Sequence, residues 1–119
     1  MPCARKTFIG SGEISIMTEP KQSFYYVVIV VTKYKNFQEA RSKEPAAIAE
    51  HIARSNQLHD KGVLLMGGAF LDDPNTGPLS TMGVLTSREA AEEYLREDPF
   101  VKKGMVAQHY IRKWANMFA

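Results

Sequence analysis

A single cysteine, Cys3, occurs among 119 residues. An internal disulfide is therefore excluded, and nothing in the thiol content argues for an oxidising compartment. Long hydrophobic runs are missing as well. The longest, Phe24 to Val31 (FYYVVIVV), falls far short of the ~20 apolar residues a membrane-spanning helix needs. Neither sign of charge dominates: 15 Lys and Arg against 13 Asp and Glu give a formal net charge of +2. The basic residues are scattered without a run or stripe, so the electrostatic footprint of a nucleic-acid binder is absent. No apolar segment of a secretory signal develops between Arg5-Lys6 and Glu13. A soluble cytoplasmic protein with neither a nucleic-acid nor a membrane partner is the expectation. There is no internal repeat, low-complexity tract or dividing linker, and the length suits one domain with a modest core.

The chain that is left reads as an alternation of strands and helices. Residues 1–22 keep no helical period and carry glycines and a proline, which predicts a loosely held arm before a single domain over 23–119. Phe24–Val31 is β-branched and aromatic throughout and does not alternate, which marks a central strand covered on both faces. Asn36 and Glu39 have capping-box spacing and open a short helical turn. Pro45 ends it and can occupy the first turn of a longer helix reaching about Lys61, with Gly62 as a left-handed stop. Val63–Leu71 is a second strand, in which Gly67 and Gly68 suggest a bulge or a close approach to something bound. Asp72–Pro78 is turn chemistry, and Leu79–Leu85 completes a hairpin. Thr86-Ser87-Arg88-Glu89 has the spacing of a second capping box, opening a helix to about Glu97 with Ala90, Ala91, Tyr94 and Leu95 on its apolar face. Asp98-Pro99 stops it, and Met105–Trp114 forms the last strand.

The order β-α-β-β-α-β is the ferredoxin-like pattern of the α+β class, two helices over one face of a four-stranded antiparallel sheet. Its other face is left open, yet Phe24–Val31 has no polar side to offer water. A homodimer joined through the two open sheet faces follows, because a two-fold interface needs only one self-complementary patch.

His51 is the most informative residue. At ~100° per residue Ile48, Ile52 and Leu58 form one apolar arc of the first long helix, and His51 falls inside it. Such a histidine is either a satisfied core group or one kept for chemistry. His59 lies near the helix end, where the helix dipole accounts for it; His109 lies on the last strand. The three have no metal-ligand spacing, so no metal is expected. Gly67-Gly68 opens no helix and is not a phosphate loop. An RNA-binding sheet would need aromatics on the third strand, and Leu79–Leu85 has none. Tyr25, Phe70 and Trp114 read as walls of a sheet face, either core or pocket.

The segments HIARSNQLHDKGVLLMGGAF and SREAAEEYLREDPFVKKG and the closing strand through Arg112-Lys113-Trp114 resemble the YCII-like family, in the same order, over roughly residues 23–116. The resemblance implies a ferredoxin-like fold paired into a dimeric α/β barrel. It also implies an active centre made of a histidine on the first helix and an aspartate in a D-P-aromatic turn, here His51 and Asp98 followed by Pro99 and Phe100. The chain departs from the family where Ile48 replaces a frequent arginine and where Gly68-Ala69 replaces a glycine-proline. Candidate ligand contacts are Tyr25, Gly68 and Phe100. The expected function is a cofactor-independent enzyme that moves protons on a small cyclic or aromatic-derived molecule, as an isomerase or an eliminating lyase. Similar barrels host lactone isomerases and, within the YCII-like group, removal of chloride from a hydroxylated ring. The alternatives are a non-catalytic ligand-binding protein using the same cleft and a purely structural dimer module.

Overall fold

The computed structural model describes residues 23–118; the expected arm over residues 1–22, with Cys3, lies outside them. The elements are β1 (Ser23–Thr32), α1 (Phe37–Lys43), α2 (Pro45–Asp60), β2 (Leu64–Ala69), β3 (Ser80–Leu85), α3 (Arg88–Arg96), α4 (Pro99–Lys102) and β4 (Val106–Asn116). They form an open antiparallel sheet in the order β2-β3-β1-β4, with the helices on one side. This is the expected α+β ferredoxin-like arrangement.

β1 sits in the middle because it offers hydrophobic side chains to both faces. Val28, Val30 and Thr32 are buried, whereas Val27, Ile29 and Val31 between them are only half-buried. The expectation that both faces of β1 are covered thus holds within the chain only for the helix side. Thr32 closes the strand by donating from both its amide (2.9 Å) and its hydroxyl (2.8 Å) to the Leu79 carbonyl.

Two apolar clusters lie under the helices. One joins Val28, Val30, Leu64, Leu85, Ala91 and Tyr94; the other joins Tyr34, Ala40, Ala47, Leu79 and Phe100. Fully buried Leu85 and Phe100 each stabilise the fold by about 1.5–3 kcal/mol. Gly83 lets the first cluster close. A Cβ there would meet Leu64 Cδ1 and Tyr94 Cε2 at 3.3 Å, so the absence of a side chain allows the Tyr94 ring to lie against the sheet.

Local details differ from the sequence reading in three places. Ser87, not Thr86, caps α3, its hydroxyl accepting from the Ala90 amide at 3.1 Å. The irregularity in β2 falls between Leu64 and Met66 rather than at the glycines. Gly67 is instead close-packed, since a Cβ would meet the Met82 carbonyl at 3.3 Å. The turn after Asp98 winds into α4, a short helix that begins at Pro99. Gly62, as expected, takes a positive φ of 76° beyond α2, which relieves the Cβ clash any other residue would meet there.

Candidate active site

The site begins with a capping interaction. Proline at 99 disfavours helical backbone in the residue before it, so Asp98 is extended (φ −64°, ψ 133°) and becomes the N-cap of α4. Its Oδ2 accepts from the amides of Phe100 (2.9 Å) and Val101 (3.3 Å). That fixes the carboxyl plane and turns Oδ1 toward α2, where His51 Nδ1 lies 2.9 Å away. Asp98 is only 2% exposed. A buried carboxylate accepts hydrogen bonds and donates none, so Nδ1 carries the proton. His51 Nε2 is left with a lone pair in the neutral ring and a proton in the imidazolium.

Packing holds the imidazole in that orientation. His51 sits at the seam of the two clusters, its ring 6.3 Å from that of Tyr94 and 5.8 Å from that of Phe100. Its side chain keeps 18% of its surface accessible, enough for a ligand to reach one edge. Arg54, one turn further along α2, donates to the carbonyls of Tyr94 (3.0 Å) and Glu93 (3.1 Å) and lies 5.4 Å from the Tyr94 ring centroid. These contacts satisfy acceptors at the end of α3, where a cation also complements the helix dipole. They fasten α2 to the segment that leads into Asp98.

A cleft of about 380 Å³ opens beside His51, between α2 and β2. Its helix side carries His51, Ile52, Ser55, Asn56 and His59; its strand side runs from Leu64 to Gly68; Tyr94 lines it too. Burial pushes the Tyr94 phenol above its ordinary value, with Ser55 beside it pulling partly back and the Asp98 carboxylate adding to the rise. The hydroxyl is therefore neutral near pH 7 and available as a hydrogen-bond donor.

His51 and Asp98 are in direct contact, and Gly68 lines the cleft. Phe100 is buried behind the His51 ring and is absent from the cleft wall. Tyr25 is remote from this cleft: it pairs with Trp114 across β1 and β4, ring centroids 6.4 Å apart. Ile52, assigned from the helical period to the inner arc, is 54% exposed on the cleft wall. The sequence does not mark Ser55, Asn56 or Tyr94 as cleft residues, and it accounts for His59 by the helix dipole alone. Ser55 and His59 follow His51 at four-residue intervals, the spacing that stacks side chains on one helix face. Tyr94 precedes Asp98 by one helical turn and looked like an ordinary core aromatic. Among the described residues, no three His, Cys, Asp or Glu side chains converge so as to hold a metal ion. No helix among them is long and apolar enough to cross a membrane.

Residues 25–115 match the model of the YCII-related domain. The chain belongs to the YCII-related family. No curated protein sequence matches it at a significant level. Among solved structures it is similar to 5-chloro-2-hydroxyhydroquinone dehydrochlorinase (TftG) from Burkholderia phenoliruptrix AC1100, in complex with 2,5-dihydroxybenzoquinone. That likeness has a TM-score of 0.52 at 22% identity and covers 75% of this chain and 92% of the other. A protein of unknown function from Nitrosomonas europaea matches with a TM-score of 0.44 at 12% identity, over 82% of this chain and 92% of its own. A hypothetical Arabidopsis thaliana protein, solved in solution, matches with a TM-score of 0.43 at 16% identity, over 87% and 96%.

Proposed function

We propose that this YCII-related protein is a cofactor-independent enzyme that transfers protons on a small hydroxylated ring bound in the cleft between α2 and β2. The carrying observation is the His51–Asp98 contact: Nδ1 is held at 2.9 Å by a buried, amide-anchored carboxylate. That leaves Nε2 as the proton acceptor. His51 takes a proton from the ligand, Asp98 stabilises the imidazolium that forms, and His51 then returns the proton to another atom or to the leaving group. Tyr94, neutral and next to His51, donates a hydrogen bond to oxygen charge that develops on the ring. An isomerisation or an elimination needs nothing more. The cleft volume supports a ligand of this size, since a cavity of ~150 Å³ already holds benzene. The dehydrochlorinase among the structural neighbours makes chlorinated hydroxyhydroquinones the first substrates to try.

The active form in this reading is a homodimer closed through the open sheet face into an α/β barrel. Val27, Ile29, Met66, Met82, Val84 and Trp114, with Arg112 and Lys113, line a largely apolar depression of about 370 Å³ on that face. Apolar surface of this kind is stabilised when covered by a copy of itself.

The test is turnover of a chlorinated hydroxyhydroquinone, followed by chloride release, in wild type and His51→Asn. Turnover that falls by ~10²–10⁴-fold with little change in ligand affinity is expected for loss of the acid–base group. Equal turnover in both proteins refutes the role of His51. Binding without turnover in wild type favours the non-catalytic ligand-binding alternative, which uses the same cleft.

A further inference from the structure

The cleft holds a second histidine with the same chemistry as the first. His59 Nδ1 lies 2.9 Å from the Leu64 carbonyl. A carbonyl only accepts, so here too Nδ1 carries the proton and Nε2 keeps a lone pair in the neutral ring. Both histidines belong to the helix wall of one cleft, with Ser55 midway between them. We infer that the cleft selects a ring bearing two hydroxyl donors on opposite edges, one bonded to His51 Nε2 and the other to His59 Nε2. His59 is thus a specificity-determining residue. The inference rests on the reading of this cleft as a small-ligand site.

The spacing fits. Eight residues of helix place the two side chains ~12 Å apart along the axis, at ~1.5 Å per residue. That axial separation has room for a six-membered ring with a hydrogen bond of ~2.9 Å at each end. The two walls match such a molecule. One presents His51, Ser55 and His59 to its polar edges, and the other presents Leu64, Leu65 and Met66 to its apolar surface. With both rings in their neutral form, the two acceptors reject a ring whose second oxygen has no hydrogen to give, because that acceptor would then lose its water without a replacement.

His59 also ties the end of α2 to the start of β2, so a simple deletion would confuse anchoring with recognition. Two substitutions separate the roles. His59→Asn places an amide N–H where Nδ1 stood and has no atom at Nε2; His59→Gln places a polar atom at Nε2 and lacks the Nδ1 donor. The experiment is calorimetric titration of wild type and both variants with hydroquinone and with 4-methoxyphenol, which has one donor blocked. Wild type should prefer hydroquinone by roughly fivefold to tenfold, the worth of one hydrogen bond. His59→Asn should melt like wild type and lose the preference. His59→Gln should melt lower and retain it. A preference that persists undiminished in His59→Asn overturns the proposal, as does equal binding of the two phenols by wild type, and either result leaves the small-ligand reading of the cleft standing. Failure of wild type to bind both phenols removes that reading and the proposal with it.

Discussion

Replacing Asp98 by Asn should invert the chemistry of His51 while leaving the fold nearly intact. The Asp98 Oδ2 position receives two backbone N–H groups, from Phe100 and Val101. An amide NH₂ cannot occupy it without opposing donors, so the asparagine oxygen must turn there and its nitrogen must face His51. The imidazole then has to accept at Nδ1, and its neutral form carries the proton on Nε2. The group facing the cleft becomes a donor. Where the same exchange leaves the wrong tautomer in a Ser-His-Asp triad, turnover falls ~10⁴-fold, and a loss of that order is expected for proton abstraction here. Stability should barely change, because Asn caps a helix about as well as Asp; a loss below ~1 kcal/mol is expected. Asp98→Ala is the contrast. It removes the cap and leaves the Phe100 and Val101 amides without their acceptor, at about 0.5–2 kcal/mol for an ordinary cap and up to ~3 kcal/mol where a stranded donor is buried. Urea unfolding measures both variants, and ¹⁵N shifts of the imidazole nitrogens report the tautomer without any substrate. A His51 that keeps its proton on Nδ1 in Asp98→Asn would contradict the proposed control of the tautomer by Asp98, as would a variant as unstable as Asp98→Ala.

Tyr34 provides a pH test of the core. Among the described residues its buried hydroxyl has no hydrogen-bond partner of good geometry, and burial first, then its interaction with the Glu44 carboxylate, pushes it up to about 12. The fold therefore favours the neutral phenol. Stability from this source is intact below the ordinary value near 10 and is lost as pH rises from there toward about 12. Tyr34→Phe should remove the latest component of the absorbance titration at 295 nm and should match or exceed wild-type stability at pH 7, by up to ~1 kcal/mol. A lower stability would mean that the hydroxyl has a partner after all. For the sheet face, Ile29→Glu places a charge at the centre of the proposed interface. Sedimentation should show monomers for the variant and dimers for wild type, and dimers in both would move the interface elsewhere.

Much of the fold was legible because its signals are local. Asn36, Pro45, Gly62 and Pro99 act on their own neighbourhoods and appear at or near the element boundaries they announced. The central position of β1 follows from hydrophobic side chains on both of its faces. Of the two alternatives that Gly67 and Gly68 leave open, the bulge falls elsewhere, because glycine only permits an irregularity, whereas register between strands decides where it falls. Here that register puts Leu64 opposite Leu85 and Met66 opposite Val84. Phe100 and Tyr25 show the same limit for the site. Both are aromatics near expected walls, but packing against Tyr34 buries the first, and the strand register carries the second away to Trp114. Ser55 and His59 were within reach through their four-residue spacing from His51. Tyr94 was not, since its approach to Ser55 depends on how α3 packs over Gly83.

The proposed chemistry meets its sharpest test in a titration of ¹⁵N-histidine-labelled protein with hydroquinone. The three histidines report separately: His51 and His59 line the cleft, and His109 is exposed on the edge strand β4. Saturable shifts of Nε2 at His51, accompanied by His59 and not by His109, are the predicted result. Binding that leaves His51 unmoved would contradict the proposal that its free nitrogen meets the ligand.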